Sequence, residues 1–357
     1  MRTTQRPSSR SSSTALWLTA AGAAVWTART LVRRSRRVEL RGKVALVTGG
    51  SRGLGFELAR QLVDAGARVA ICGRDEVALS RALADLVHGA ADRGGRNEDV
   101  LALPCDVTVE QEVRALVAEV ERRLGPIDLL VNDAGTIEVG PSEDMTRADF
   151  DEAMATNFYG ALHTVLAVTP GMRARRSGRV VNIASIGGKI SVPHLLPYSA
   201  SKFALVGLSE GLRSSLAKDG VLVTTVCPGE IRTGSPVHAV FKGDQPAEFR
   251  WFTTSDSAPL VSIAADTLAR RILDAAAHGD AELVTPASAW LGVKWNALFP
   301  GLTADLGALA ERQLPAPAPG GLSRRAGHEV DQELPAWARR VQDRAVAEYN
   351  QGERFAP

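Results

Sequence analysis

The chain has 357 residues, of which 45% are hydrophobic and 23% charged, the balance of a soluble globular protein with room for one large core and appended segments. A net charge of +2 argues against a dedicated nucleic-acid binder, which would carry a basic stripe. The 3 cysteines (Cys72, Cys105 and Cys227) are scattered and the 6 histidines lack ligand spacing, so neither a disulfide framework nor a metal site is supported, and a reducing compartment fits best.

Residues 1–40 form a basic and apolar leader. The uncharged stretch "SSSTALWLTAAGAAVWTA" precedes the run "RRSRR" at Arg33 to Arg37, and Glu39 is the one acid of the segment. Its length is near the lower limit for a membrane span, but Ala, Ser and Thr make it only mildly apolar. Three readings stay open. A cleaved signal peptide is disfavoured because the basic cluster follows the apolar part. A membrane contact through residues 11–32, with the arginines on the cytoplasmic side, is the second, and a loosely docked leader the third.

From Lys43 onward, strand-like runs alternate with helical stretches. "KVALVTG" reads as a strand and "LGFELARQLVDAG" as a helix ending at Gly66, then "RVAICG" as a strand and "DEVALSRALADLVHG" as a helix. "GAADRGGRNED" is an exposed loop without periodicity. "VLALPCDV", "EVRALVAEVERRLG" and "IDLLVNDAG" give strand, helix and strand, and one long helix is expected from about Ala148 to Arg173. "RVVNIAS" is the fifth strand, the stretch from Pro197 to Leu212 a helix, and "VLVTTVCPG" the sixth strand; "IAADTLARRILDAAAHG" and "AELVT" add a helix and a strand. Strands apolar throughout belong to a sheet buried on both faces. With right-handed crossovers this predicts an α/β fold, a doubly wound parallel sheet of Rossmann type over residues 41–285. Residues 286–357 read as a helical extension containing the linker "PAPAPGG". Its first, apolar part could cover the core, meet a second subunit or touch a bilayer.

"TGGSRGLG" follows the first strand and opens the first helix. Gly49, Gly53 and Gly55 allow a tight turn and close approach of a pyrophosphate, and the helix N-terminus supplies oriented N–H groups. Ser51, Arg52 and Leu54 complete this loop. At the end of the second strand stands Gly73 and then Arg74, where an NAD-binding chain would carry a ribose-binding acid. Arg52 and Arg74 would fork onto a 2′-phosphate, which favours NADP(H) over NAD(H). A shifted register could instead use Asp75 as the acid.

Tyr198 and Lys202 are one helical turn apart, so both side chains can face one cleft. A phenol normally titrates near pH 10; a neighbouring ammonium favours the phenolate, and a shift of about three units toward neutrality is expected when the lysine charge and an oxidised nicotinamide act together. Such a tyrosine can pass a proton to or from a carbonyl oxygen while hydride moves at the adjacent carbon. Ser185, at the end of the fifth strand, could hold the same oxygen.

The combination resembles the short-chain dehydrogenase/reductase family. "TGGSRGLG", "CDV" at Cys105 to Val107, "NDAG" at Asn132 to Gly135, Asn157, Ser185, Tyr198-x-x-x-Lys202 and "PG" with Thr233 occur in the family's order and spacing. The resemblance implies a proton relay. Tyr198 would be the general acid/base, Lys202 would lower its pKa and hold the nicotinamide ribose, Ser185 would orient the substrate, and Asn157 would hold a water behind Lys202. It further implies adenine binding at Asp106 beside Val107, a cofactor border of Asn132, Ala134 and Gly135, and nicotinamide contacts from Pro228, Gly229, Ile231 and Thr233. Asp133 departs from the family's usual Asn, a position taken to stabilise the central sheet. The localisation expected is cytoplasmic, with membrane association under the second reading of the leader, and a homo-oligomer is compatible with the family.

Two segments should border the substrate: "IGGKISVPHLLP", where His194 reads as a loop residue, and the lid-like connection after Thr233. Phe241, Phe249, Trp251 and Phe252 either line an apolar pocket or pack the lid onto the body. A hydrophobic alcohol or ketone is the favoured substrate. The alternative is a dinucleotide-binding regulator or scaffold without catalysis, which usually loses the Tyr or Lys that this chain keeps.

Overall fold

In the computed structural model, which describes residues 27–92, 94–258, 262–330 and 334–352, the apolar runs become strands of one sheet with helices on both faces. A helix over residues 27–35 (α1) precedes β1 (Val44–Thr48), whose five residues are all buried. There follow α2 (Gly53–Asp64), β2 (Arg68–Gly73), α3 (Glu76–Asp92), β3 (Val100–Pro104), α4 (Glu110–Leu124), β4 (Leu129–Asn132) and the short β5 (Glu138–Val139). Next come α5 (Arg147–Met154), α6 (Gly160–Ala174), β6 (Gly178–Ile183), α7 (Leu196–Leu216), β7 (Val221–Pro228) and β8 (Glu230–Arg232). After these lie β9 (Val240–Phe241), α8 (Gln245–Ser257), β10 (Ser262–Ala264), α9 (Ala265–His278) and β11 (Glu282–Thr285). The extension holds α10 (Ala287–Leu298), α11 (Pro300–Glu311), β12 (Arg325–Ala326) and α12 (Ala336–Glu348).

The main sheet has the order β11-β7-β6-β4-β1-β2-β3, and every neighbouring pair is parallel. Parallel strands need crossovers, and helices supply them on both faces, so the strands must be apolar on both sides. α2, α3 and α9 close one face through Leu58, Leu62, Leu86 and Ile272. Val117, Val120, Val165 and Leu216 of α4, α6 and α7 close the other. The winding direction reverses between β1 and β4, so a crevice opens beyond the carboxyl ends of these two strands.

The helix expected from Ala148 to Arg173 is interrupted. α5 and α6 are joined by one π turn, Ala155–Tyr159, with Asn157 buried inside it. The backbone stays helical at both ends of the turn and no breaker residue marks it, which is why the sequence reads as one helix; π turns recur at functional sites.

The stretch after Thr233 forms a lid of β9 and α8. β9 pairs with β5 on one side and β12 on the other, so the extension is woven into it. Phe241, Phe249 and Phe252 are buried with Val139, Leu195 and Val330, so these rings pack the lid onto the body. α10 and α11 leave Trp290, Leu291, Leu298 and Leu306 exposed. Among the described residues no helix is long and apolar enough to cross a membrane. Most of the expected contact segment, residues 11–26, lies outside the described residues.

Candidate active site

The crevice is a cavity of about 510 Å³. Its walls bring together Gly49, Ser51, Arg52, Gly53 and Leu54 of the glycine loop, and Arg74, Asp106 and Val107 from the ends of the β2 and β3 region. Ala134 and Gly135 after β4, Ser185 after β6, Tyr198 and Lys202 on α7, and Pro228, Gly229, Ile231 and Thr233 after β7 complete the set. Sequence-distant residues thus meet because each ends a neighbouring parallel strand or begins the helix that follows.

The glycine loop fits a dinucleotide phosphate on steric grounds. Gly49 has φ +68, and a Cβ there would stand 2.9 Å from the Ala134 backbone. A Cβ at Gly55 would stand 2.5 Å from Gly49 O, so a side chain would force the loop off the end of β4. The loop therefore lies low, and the N-terminus of α2 is left facing the cavity where an anion is favoured.

Three expected residues do not line the cavity. Gly55 lies beneath the loop, and Asn132, expected beside the cofactor, turns into the sheet instead. Its Nδ2 donates to Asn182 Oδ1 at 2.9 Å, and its Oδ1 accepts from Thr164 at 2.6 Å. Thr48, Asn132, Asn182 and Thr225 stand in register across four strands, and buried polar groups in such a row satisfy one another. Sheet stabilisation, which the resemblance assigned to position 133, thus falls to Asn132. Asp133 instead accepts the N–H of Gly55, and burial pushes its carboxyl up to about 7 against the opposing charge of Lys202.

Asn157 is the third. Its Oδ1 accepts the N–H of Thr136 at 3.0 Å, and its Nδ2 donates to Thr136 O and to Ser201 Oγ. It lies behind Lys202, with both side chains next to Gly135. Lys202 Nζ donates to Ile183 O at 2.9 Å and stands 5.6 Å from the centre of the Tyr198 ring. Burial lowers the ammonium to about 8, with Asp133 opposing.

The protein's own groups raise the phenol rather than lower it. Burial pushes Tyr198 up to about 12, against a hydrogen bond from Ser185 that favours the phenolate. Glu230, Asp133 and Cys227 add to the rise. Desolvation of the charged form outweighs that hydrogen bond, so the tyrosine holds its proton at neutral pH. Ser185 Oγ also accepts the N–H of Gly187 at 3.0 Å, which fixes the hydroxyl beside the phenol.

On the adenosine side, Arg52 pairs with Asp75 and donates to His238 Nδ1 at 3.1 Å. Asp75 also accepts from Val77 and Ala78, capping the first turn of α3. Arg74 is largely exposed and faces Asp106 at 3.9 Å.

Sequence reading missed Glu230 and Asp256, two acids that line the same cavity. Burial, and then the proximity of Glu230, pushes Asp256 well above the carboxylate range. The signal was available for Glu230, which sits between Gly229 and Ile231, but none pointed to Asp256 on the lid. His194 is in a loop as expected, at φ +60, yet buried between Glu248 at 2.8 Å and Glu311 at 3.2 Å. The three cysteines are free and buried.

A strand-order reversal with a glycine loop and a Tyr-Lys-Ser cluster at one crevice defines a nucleotide-dependent oxidoreductase. A family model described as short chain dehydrogenase matches residues 43–239, and the chain belongs to that family. Dehydrogenase/reductase SDR family member 7B of Danio rerio is 34% identical over 240 residues, covering 66% of this chain and 76% of the relative. The crystal structure of a Phe-to-Trp variant of actinorhodin polyketide ketoreductase with NADPH is 32% identical, with a TM-score of 0.57 over 68% of this chain and 95% of that one. A short chain dehydrogenase/reductase from Burkholderia phymatum in complex with NAD shares the fold at 24% identity, with a TM-score of 0.64 over 74% of this chain and 96% of that one. The protein is thus an NAD(P)-binding oxidoreductase acting on the CH–OH or carbonyl group.

Proposed function

We propose that the protein is an NADP(H)-dependent carbonyl reductase or alcohol dehydrogenase in which Tyr198 is the general acid/base. The observation that carries this reading is the convergence of Tyr198, Ser185 and Lys202 on the cavity that also holds the glycine loop. Bound NADP(H) would supply or accept the hydride. Tyr198, protonated at neutral pH, delivers its proton to the carbonyl oxygen in the reductive direction, and Ser185 holds that oxygen. Lys202 keeps a positive charge near the phenol and donates toward the cofactor ribose, while Asn157 holds the backbone of Thr136 behind it. Leu54 with its neighbours receives the pyrophosphate, Asp106 and Val107 border the adenine, and Pro228, Gly229, Ile231 and Thr233 border the nicotinamide.

Ile137, Ile186, Val192, Leu195 and Phe252 favour a hydrophobic ketone or alcohol, and Glu230 and Asp256 disfavour an anionic one. Turnover of a ketone panel with NADPH tests the assignment. Tyr198→Phe should lower kcat by roughly 100-fold or more while cofactor binding persists, and unchanged turnover would refute the role.

The preference for NADP(H) rests on Gly73 at the end of β2 and on two nearby guanidinium groups. Asp75 lines the cavity as well but is held by Arg52 and the first turn of α3, and the reading makes a phosphate, rather than a bare ribose, the partner of Arg52 and Arg74. Arg52→Ala and Arg74→Ala should each reduce the NADPH-over-NADH ratio of kcat/KM by roughly tenfold. A ratio already favouring NADH in the unmodified protein would reverse this assignment.

A further inference from the structure

The segment after α12 lies on the nucleotide loop. Asn350 has φ +54, a left-handed turn at the helix end that Asn tolerates, and it redirects the chain toward α2. Tyr349 O accepts the N–H of Gly53 at 2.8 Å. Asn350 Nδ2 donates to Ser51 O at 2.6 Å and to Ala78 O at 3.1 Å. Arg81 donates to Gly352 O at 2.6 Å, and His238 Nε2 donates to Gln351 O at 2.9 Å. The segment therefore spans the glycine loop, α3 and the lid, which are the three elements around Arg52 and Arg74.

Gln351 is buried, lines the cavity, and has its Nε2 only 2.9 Å from where a Cβ of Gly53 would stand. A segment that merely covered the outside of the loop would leave its side chains outside the cavity. This one contributes a carboxamide to the wall of the crevice and takes up an N–H at the very helix terminus that would face the phosphates.

We propose that residues 349–352 are a strap forming part of the cofactor site, and that dinucleotide enters and leaves only when the strap lifts. The inference rests on the reading of the crevice as an NADP(H) site. A docked strap slows entry and exit together, because the same opening precedes both.

Stopped-flow NADPH fluorescence on the full chain tests it. Asn350→Ala removes two hydrogen bonds and disfavours the left-handed turn, and Arg81→Ala removes the anchor at Gly352. The second variant serves if the first does not fold. Association and dissociation rates should both rise by roughly tenfold, as loss of one or two such hydrogen bonds permits, and NADPH should slow amide hydrogen exchange in residues 349–352 of the unmodified chain. Rates within twofold of the unmodified protein, in a variant whose strap exchanges faster, would overturn the proposal. Faster association alone, with affinity tightened by the same factor, would show a competing plug and would also overturn it. Absence of binding by every form, with either NADPH or NADH, would instead overturn the dinucleotide reading itself and the strap with it.

Discussion

Position 133 puts a carboxylate where the resemblance leads one to expect a carboxamide. It accepts the N–H of Gly55 under the glycine loop and stands near Lys202. Burial raises its pKa from the ordinary aspartate range to about 7. A raised acid binds its proton in the folded state at pH values where the unfolded chain has released it. Its stabilising contribution is present at acid pH and is lost as pH rises through about 7. Asp133→Asn keeps an acceptor for Gly55 and removes the charge. Its Tm should exceed that of the unmodified protein by roughly 3 °C or more at pH 8, the difference shrinking as pH falls and approaching zero only below about pH 4, as read by calorimetry. An equal shift at both pH values would mean that charge is not the cause. The departure from the family pattern was visible in "NDAG", but its partner was not, since Gly55 meets Asp133 only once β1 and β4 pair.

Among the elements, the lid is held by charge as well as by aromatic packing. Lys242 at the end of β9 reaches Asp149 in the first turn of α5 at 2.7 Å, and both side chains are almost fully buried. Such a pair is weak evidence of net stability, yet breaking it strands a charge in a dry site. Lys242→Met should cost roughly 3–5 kcal/mol in urea unfolding, and adding Asp149→Leu should recover most of that loss. A cost within the range of an exposed ion pair, below about 1 kcal/mol, would show that water reaches Asp149. The main-sheet strands were legible because continuous apolar runs leave few alternatives. The lid was legible only as a choice between lining and packing, because four aromatic residues in a connection do not say which way they face. Phe252 does both: it packs in the lid cluster and also borders the cavity.

At the scale of the molecule, the parallel sheet and most of the crevice could be read from local motifs, whereas the extension's course could not. Asn350 and Ser51 are 299 positions apart, and no periodicity or spacing connects them. What joins them is β12 on β9 and α12 on α8, contacts whose residues look like ordinary polar surface in the sequence. Because β9 is flanked by β5 and β12 in one small sheet and α12 packs on α8, the lid touches both the body and the extension. A change that frees β12 from β9 would therefore disturb the lid and, through α12, the segment that ends on the glycine loop.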